Sequence, residues 1–232
     1  MISHFSQVEN CFFESSNLAE PTTPVPHIVV KNVPDLGLLT ALRFLEWTAD
    51  NPQGVISLPT GKTPEYFIKW TQQILANWND TKIEKLRREH GLSISDKPDL
   101  HQLRFVQIDE FYPIDPQQHN SMFNYVQKFY VNGFGLDPKN CLLINCAEIP
   151  RPSRYLQQDI FPNFIIDLSL RLREPKSDIE KRQKKTIFAV DQWCSEYENR
   201  IQELGGIGFF LGGIGPDGHI AFNVRGSDHN ST

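Results

Sequence analysis

The chain is short of several things, and each shortage closes a class of function. Its 232 residues hold only four cysteines, Cys11, Cys141, Cys146 and Cys194. A chain of this length does not need disulfide staples, and the step from Cys141 to Cys146 matches no metal-ligand spacing, so reduced thiols and no metal are expected. Positive charge is in the minority, with 23 Lys and Arg against 28 Asp and Glu and a net charge of −5. That balance leaves no electrostatic footprint for nucleic acid or for an anionic membrane. No run reaches the roughly 18 consecutive apolar residues of a membrane-spanning helix. The opening MISHFSQVENCFFESSNLAEPTTPVPH lacks the basic stretch and apolar core of a secretory signal. A cytoplasmic location is expected. Internal repeats and low-complexity tracts are lacking too.

What remains is an ordinary globular composition, 39% apolar and 22% charged, in a chain long enough for one sizeable core. AEPTTPVP places three prolines in eight residues, so 1–26 reads as an arm or irregular lead-in and 27–232 as a single α/β domain. The short apolar HIVVKNV is the first element expected after it. LGLLTALRFLEWTA carries apolar residues at helical spacing, and GVISLPTGKT is a β-branched run ending in turn residues. Thr63 stands where an N-cap should and Pro64 at the first helical position, with Phe67, Trp70, Ile74 and Trp78 following at steps of three and four. KIEKLRREH reads as an exposed helix, LRFVQIDEFY as a strand ending in carboxylates, SMFNYVQKFYVNGFG as an amphipathic helix stopped by glycines, and NCLLIN as a strand. Residues 150–185 read as an irregular and then strongly charged surface excursion. VDQWCSEYENRIQELGG is a helix with a glycine cap, leading into the strand IGFFLGG. Strands alternating with helices predict a mostly parallel sheet with helices on both faces, a Rossmann-like α/β fold.

Ligands of open α/β sheets bind at the carboxyl ends of strands, and three strand ends here are chemically loaded. In LPTGKTP a strand runs into a turn with Thr60, Gly61, Lys62 and Thr63 before a helix N-terminus, where amides and the helix dipole favour a phosphate. Read alone, this turn serves equally as a plain connection, and the four-residue glycine spacing of a Walker loop is absent. In VQIDEFY, Asp109 and Glu110 end an apolar strand; one of them can act as a general base or as a turn cap. In FFLGGIGPDGHIAFN, Gly212, Gly213 and Gly215 let the backbone approach a ligand, while Asp217 and His219 are spaced to orient an imidazole for proton transfer. By itself His219 fits a satisfied turn histidine as well.

The ordered set LPTGKTP, DEF and GGIGPDGHIAFN resembles the glucosamine-6-phosphate deaminase (isomerase) family, which shares its fold with the 6-phosphogluconolactonases. The resemblance runs over residues 28 to 226, interrupted near 80–100 and 150–185. It implies that Thr60, Gly61, Lys62 and Thr63 hold a sugar phosphate, with Glu110, Gly213, Gly215 and Asn223 also lining the substrate. It implies Asp109 as the base moving a proton between C2 and C1 of the open-chain sugar, and His219, oriented by Asp217, as the group assisting ring opening. The implied reaction turns glucosamine 6-phosphate into fructose 6-phosphate and ammonia, in amino-sugar catabolism. No metal or organic cofactor is implied. The implied partner is a small-molecule sugar phosphate, a homo-oligomer being permitted. Phe111 after the acidic pair and IAFN after His219 favour the deaminase over the lactonase branch. Two departures stand out. Val224 occupies the place of a family glutamate, for which Asp109, Glu110, Asp228 or His229 would have to compensate, unless the chain is a lactonase-like hydrolase or a non-catalytic sugar-phosphate binder. The family also continues past this motif, so the resemblance implies further strands and helices beyond Thr232.

Overall fold

The computed structural model describes residues 5–16, 23–150, 157–162, 165–215, 217–221 and 223–226. Its elements run α1 (Gln7–Ser15), α2 (Val33–Asp50), β1 (Val55–Ser57), α3 (Glu65–Ala76), α4 (Thr81–Glu89), β2 (Arg104–Val106) and α5 (Met122–Val126). Then come a π-helical stretch (Gln127–Val131), α6 (Asn132–Phe134), β3 (Cys141–Leu142), α7 (Gln157–Ile160), α8 (Asp178–Glu203) and β4 (Phe209–Phe210). The four strands form one sheet in the order β3-β2-β1-β4, and each pairing is parallel. This is the α/β architecture expected of strands alternating with helices. No helix among the described residues is long and apolar enough to cross a membrane.

The chain divides into two compact units. The first holds the residues up to 108, 125–142 and those from 208 on, and the second holds 109–124 and 143–207. In the first unit the apolar faces of α2 and α3 meet around an aromatic cluster. Phe44, fully buried, has ring centroids within 5.5–6.0 Å of Phe67, Phe134 and Phe209, and Phe105 lies 5.6 Å from Tyr130. Rings of this size carry most of the burial energy of a small core, about 1.5–3 kcal/mol each. β1 is buried along its whole length, as a central parallel strand must be.

Three sequence expectations are corrected here. The lead-in is not irregular throughout: Gln7–Ser15 is helical, its N-terminus closed by a reciprocal pair in which Ser6 accepts from the Glu9 amide and Glu9 from the Ser6 amide. The S-x-x-E pattern was present in the sequence, and burial of Val8 and Phe12 completes the helix. HIVVKNV, expected as the first element, is not one element; residues 27–30 are irregular and Val33 opens α2, because the Asn32 side chain caps the Asp35 amide and Pro34 suits a first turn. Thr63 does not cap α3, since Pro64 occupies the cap position and no side chain bonds the first amides.

In the second unit, α8 starts at Asp178, twelve residues before the apolar periodicity suggests. Ser177 caps it by accepting from the Glu180 amide at 3.2 Å. The charged run is therefore in part the first turns of a helix. Arg173 bonds both Asp167 and Glu180, and Arg171 clamps Asp191 with two bonds of 2.9 and 2.7 Å. Hydrogen bonds from the Ser169 hydroxyl and then from Arg173 hold the Asp167 carboxyl down at about 2. Beneath them Leu170 and Ile187 are buried. The helix ends in Gly205 and Gly206, both left-handed, as the glycine pair predicts.

Candidate active site

The site in the first unit begins with register. β1 and β4 pair in parallel with Ile56 opposite Phe209 and Ser57 opposite Phe210, and the Leu211 amide bonds the Ser57 carbonyl at 3.0 Å. Their carboxyl ends therefore lie side by side. The turn after β1, Leu58–Pro64, meets the turn after β4. A Cβ placed on Gly213 would come within 3.2 Å of the Thr63 methyl, so the two turns touch and a side chain at 213 would push them apart.

The first turn is held from behind by two tyrosines that sequence reasoning missed. The Tyr130 hydroxyl donates to the Pro59 carbonyl at 2.5 Å and Tyr125 to the Gly61 carbonyl at 2.9 Å. Burial pushes Tyr125 up to about 12, so it remains a donor over the physiological range. With its carbonyls tied back and Gly61 in a left-handed conformation, the turn leaves Gly61, Lys62 and Thr63 exposed and Thr60 half-buried. Since no side chain caps α3, the positive end of its dipole is open to an anion. The two tyrosines sit five apart in SMFNYVQKFYVNGFG, and no local signal could pair them with Pro59 and Gly61.

The second turn folds as a small hairpin. Ile214 bridges Ile220, the Gly215 amide bonds the His219 carbonyl at 2.9 Å, and Gly218 turns the chain at φ +83. The Asp217 carboxylate accepts from His219 Nδ1 at 2.5 Å. This bond, first among its causes, holds the Asp217 carboxyl below the usual range. With the proton on Nδ1, Nε2 of the neutral ring is free to accept one. Gly215 leaves the space the ring needs: a Cβ there would fall 2.0 Å from His219 Cε1, far inside van der Waals contact. Asn223 is exposed, and its side-chain amide donates to the Ile220 carbonyl at 3.2 Å. Val224 is 51% exposed, and Asp228 and His229 lie outside the described residues.

The acidic pair belongs to the second unit. Burial, and then the charge of Glu110, push the Asp109 carboxyl above its usual range, the direction that makes a carboxylate a better base. Glu110 accepts from the amides of Phe111, Met122 and Phe123 and from the Ser121 hydroxyl. Phe111 is 49% exposed. Among the described residues, no three His, Cys, Asp or Glu side chains gather as a metal site would need.

No family profile matches the chain. Among curated proteins, the glucosamine-6-phosphate deaminase of Borrelia hermsii is 66% identical over 38 residues, 16% of this chain and 14% of that protein. The deaminase of Caenorhabditis elegans is 71% identical over 34 residues, 15% of this chain and 13% of its own length. Glucosamine-6-phosphate deaminase 2 of Giardia intestinalis aligns at 27% identity over 203 residues, 88% of this chain and 56% of that protein. A solved structure of a monomeric glucosamine-6-phosphate deaminase, described as a missing link of the NagB superfamily, superposes with a TM-score of 0.53 at 18% identity. It covers 87% of this chain and 60% of its own, which identifies the fold. The chain thus spans little more than half the length of the Giardia protein, and far less of the two local matches. Through short segments of high identity and a weaker alignment running along most of its length, the chain is similar to glucosamine-6-phosphate deaminases.

Proposed function

We propose that the protein converts glucosamine 6-phosphate and water into fructose 6-phosphate and ammonia, in the cytoplasm, as a step of amino-sugar catabolism. The observation that carries this reading is the contact between Gly213 and Thr63, which sets an uncapped helix N-terminus with Lys62 against the turn bearing the Asp217–His219 pair. A phosphate anchor beside a proton-transfer pair is what an open-chain sugar phosphate needs.

In this mechanism Lys62 and the amides of Gly61 and Thr63 hold the phosphate, with the Thr60 and Thr63 hydroxyls as further donors. His219 Nε2 takes the proton of the anomeric hydroxyl and returns one to the ring oxygen, so the ring C–O bond breaks and the aldehyde forms. Asp217 keeps the imidazole in the correct tautomer and stabilises it while it is charged. Asp109 removes the proton from C2, giving an enolamine. Delivery of that proton to C1 leaves an imine at C2, which water hydrolyses to the ketone with release of ammonia. No metal is required for any of these steps. The raised Asp109 carboxyl suits the carbon-to-carbon transfer, since a stronger base accepts the C2 proton more readily.

Incubation with glucosamine 6-phosphate, with ammonia and fructose 6-phosphate measured together, tests the reading; equal amounts of both are expected, and absence of both overturns it. Val224 supports a second reading, a sugar-phosphate binder without turnover, because a valine cannot orient or relay a proton. That reading predicts stabilisation by the sugar phosphate with neither product formed.

A further inference from the structure

Glu110 stands next to the proposed base, yet its geometry is that of a clamp. Oε1 accepts from the Phe111 amide at 2.9 Å and the Met122 amide at 3.1 Å, while Oε2 accepts from the Ser121 hydroxyl at 2.7 Å and the Phe123 amide at 2.8 Å. A carboxylate offers about four lone-pair positions, and all four are used. Two of the donors are first-turn amides of α5, which have no partner within the helix. A negative group there also complements the helix dipole. Ser121 is only 1% exposed, so its hydroxyl has no solvent alternative to Glu110. Its oxygen passes the restraint on by accepting from the Asn124 amide at 3.3 Å, and the Asn124 side chain ties down the carbonyls of Gln117 and Gln118. One side chain thus closes the loop from 110 to 124 onto the residue beside Asp109.

We infer that Glu110 is a positioning residue, which locks the loop after β2 to the start of α5 and so holds Asp109 in place, and that it is not a ligand of the sugar. The catalytic part of this inference rests on the deaminase reading; the clamp itself does not. A sugar hydroxyl could reach Glu110 only by displacing one of its four donors. Its charge has a second effect, since after burial it is the next cause raising the Asp109 carboxyl. It also raises the Cys146 thiol, for which burial is again the larger cause. Asp109 and Cys146 are therefore the two titrating groups that should respond when Glu110 is neutralised.

The test compares the unaltered chain with Glu110→Gln and Ser121→Ala. Glutamine keeps the length but offers one acceptor oxygen and sets an NH2 against helix amides. In Glu110→Gln, the Asp109 carboxyl, followed by 13C NMR, should titrate at lower pH, and the Met122 and Phe123 amides should exchange with solvent faster. With glucosamine 6-phosphate, kcat should fall about ten- to a hundredfold with KM within about twofold, the pattern of a displaced catalytic group. The acid limb of the kcat/KM profile should move down with Asp109. Ser121→Ala keeps the charge, so it should speed exchange at Phe123 and Asn124 and lower kcat without moving the Asp109 titration. It also serves should Glu110→Gln fail to fold. A raised KM with unchanged kcat in Glu110→Gln would make Glu110 a sugar ligand and overturn the inference, as would unchanged exchange in both variants. If the unaltered chain releases no ammonia, the deaminase reading falls, while titration and exchange still decide whether Glu110 is the clamp.

Discussion

The acid–base role proposed for His219 depends on what surrounds it at atomic range. Asp217 fixes its tautomer, and Gly215, lacking a Cβ, leaves room for the ring close to the backbone. Gly215→Ala should therefore displace the ring and cost about a hundredfold in kcat/KM, with the fold intact by circular dichroism; unimpaired turnover would remove His219 from the mechanism. Asp109 illustrates the opposite tension. Its carboxyl is raised in the folded chain, so the charged form is disfavoured by folding, and its contribution to stability is complete below pH 3.8 and lost as pH rises through the folded value. Asp109→Asn should abolish ammonia release yet raise the melting temperature at pH 7 by about 2 °C. The gain should shrink toward zero below pH 4, which a series of melting curves against pH would check. Val224 is the residue where the family pattern and this chain part. The structure supplies no carboxylate in its place among the described residues of the hairpin other than Asp217, which is already paired with His219.

The elements that matter most are those whose ends were hardest to see. α8 begins in the charged run because Ser177 caps it, and Ser177→Ala should lower stability by about 1 kcal/mol, read as a shift in the denaturant midpoint. The same S-x-x-E arrangement starts α1, and both stretches look irregular from the sequence because their caps precede any strong apolar periodicity. At α3 the reverse occurred. Thr63 and Pro64 have the chemistry of a helix start, but the Thr63 methyl lies against Gly213, the cap passes to Pro64, and the first helical amide, of Glu65, donates to the Lys62 carbonyl rather than to a side chain. The turn before α3 depends on the helix that carries Tyr125. Tyr125→Phe should release the Gly61 carbonyl and weaken sugar-phosphate binding by about 1 kcal/mol, about fivefold, with kcat little changed.

For the whole molecule, binding and folding are linked. If the turn after β1 holds a phosphate, glucosamine 6-phosphate at about a hundred times its Kd should stabilise the chain by about 2.7 kcal/mol. A calorimetric scan would show this as a higher melting temperature, and replacing Lys62 and Thr63 with alanine should erase it. The parallel sheet, its helices and the turns at three strand ends were legible in the chain's own pattern, because parallel strands are buried on both faces and read as short apolar runs, while turns declare themselves through glycine, proline and threonine. Which turns meet was not legible. The adjacency of Thr63 and Gly213 follows from the pairing of β1 with β4, strands about 150 residues apart, and long-range pairing leaves no local signature. The tyrosines behind Pro59 and Gly61, and the four donors around Glu110, have the same origin. Residue types and their spacing announce the chemistry a chain can perform; burial and register, which exist only once the chain has folded, decide which oxygen each proton faces and which carboxylate stays free to take one.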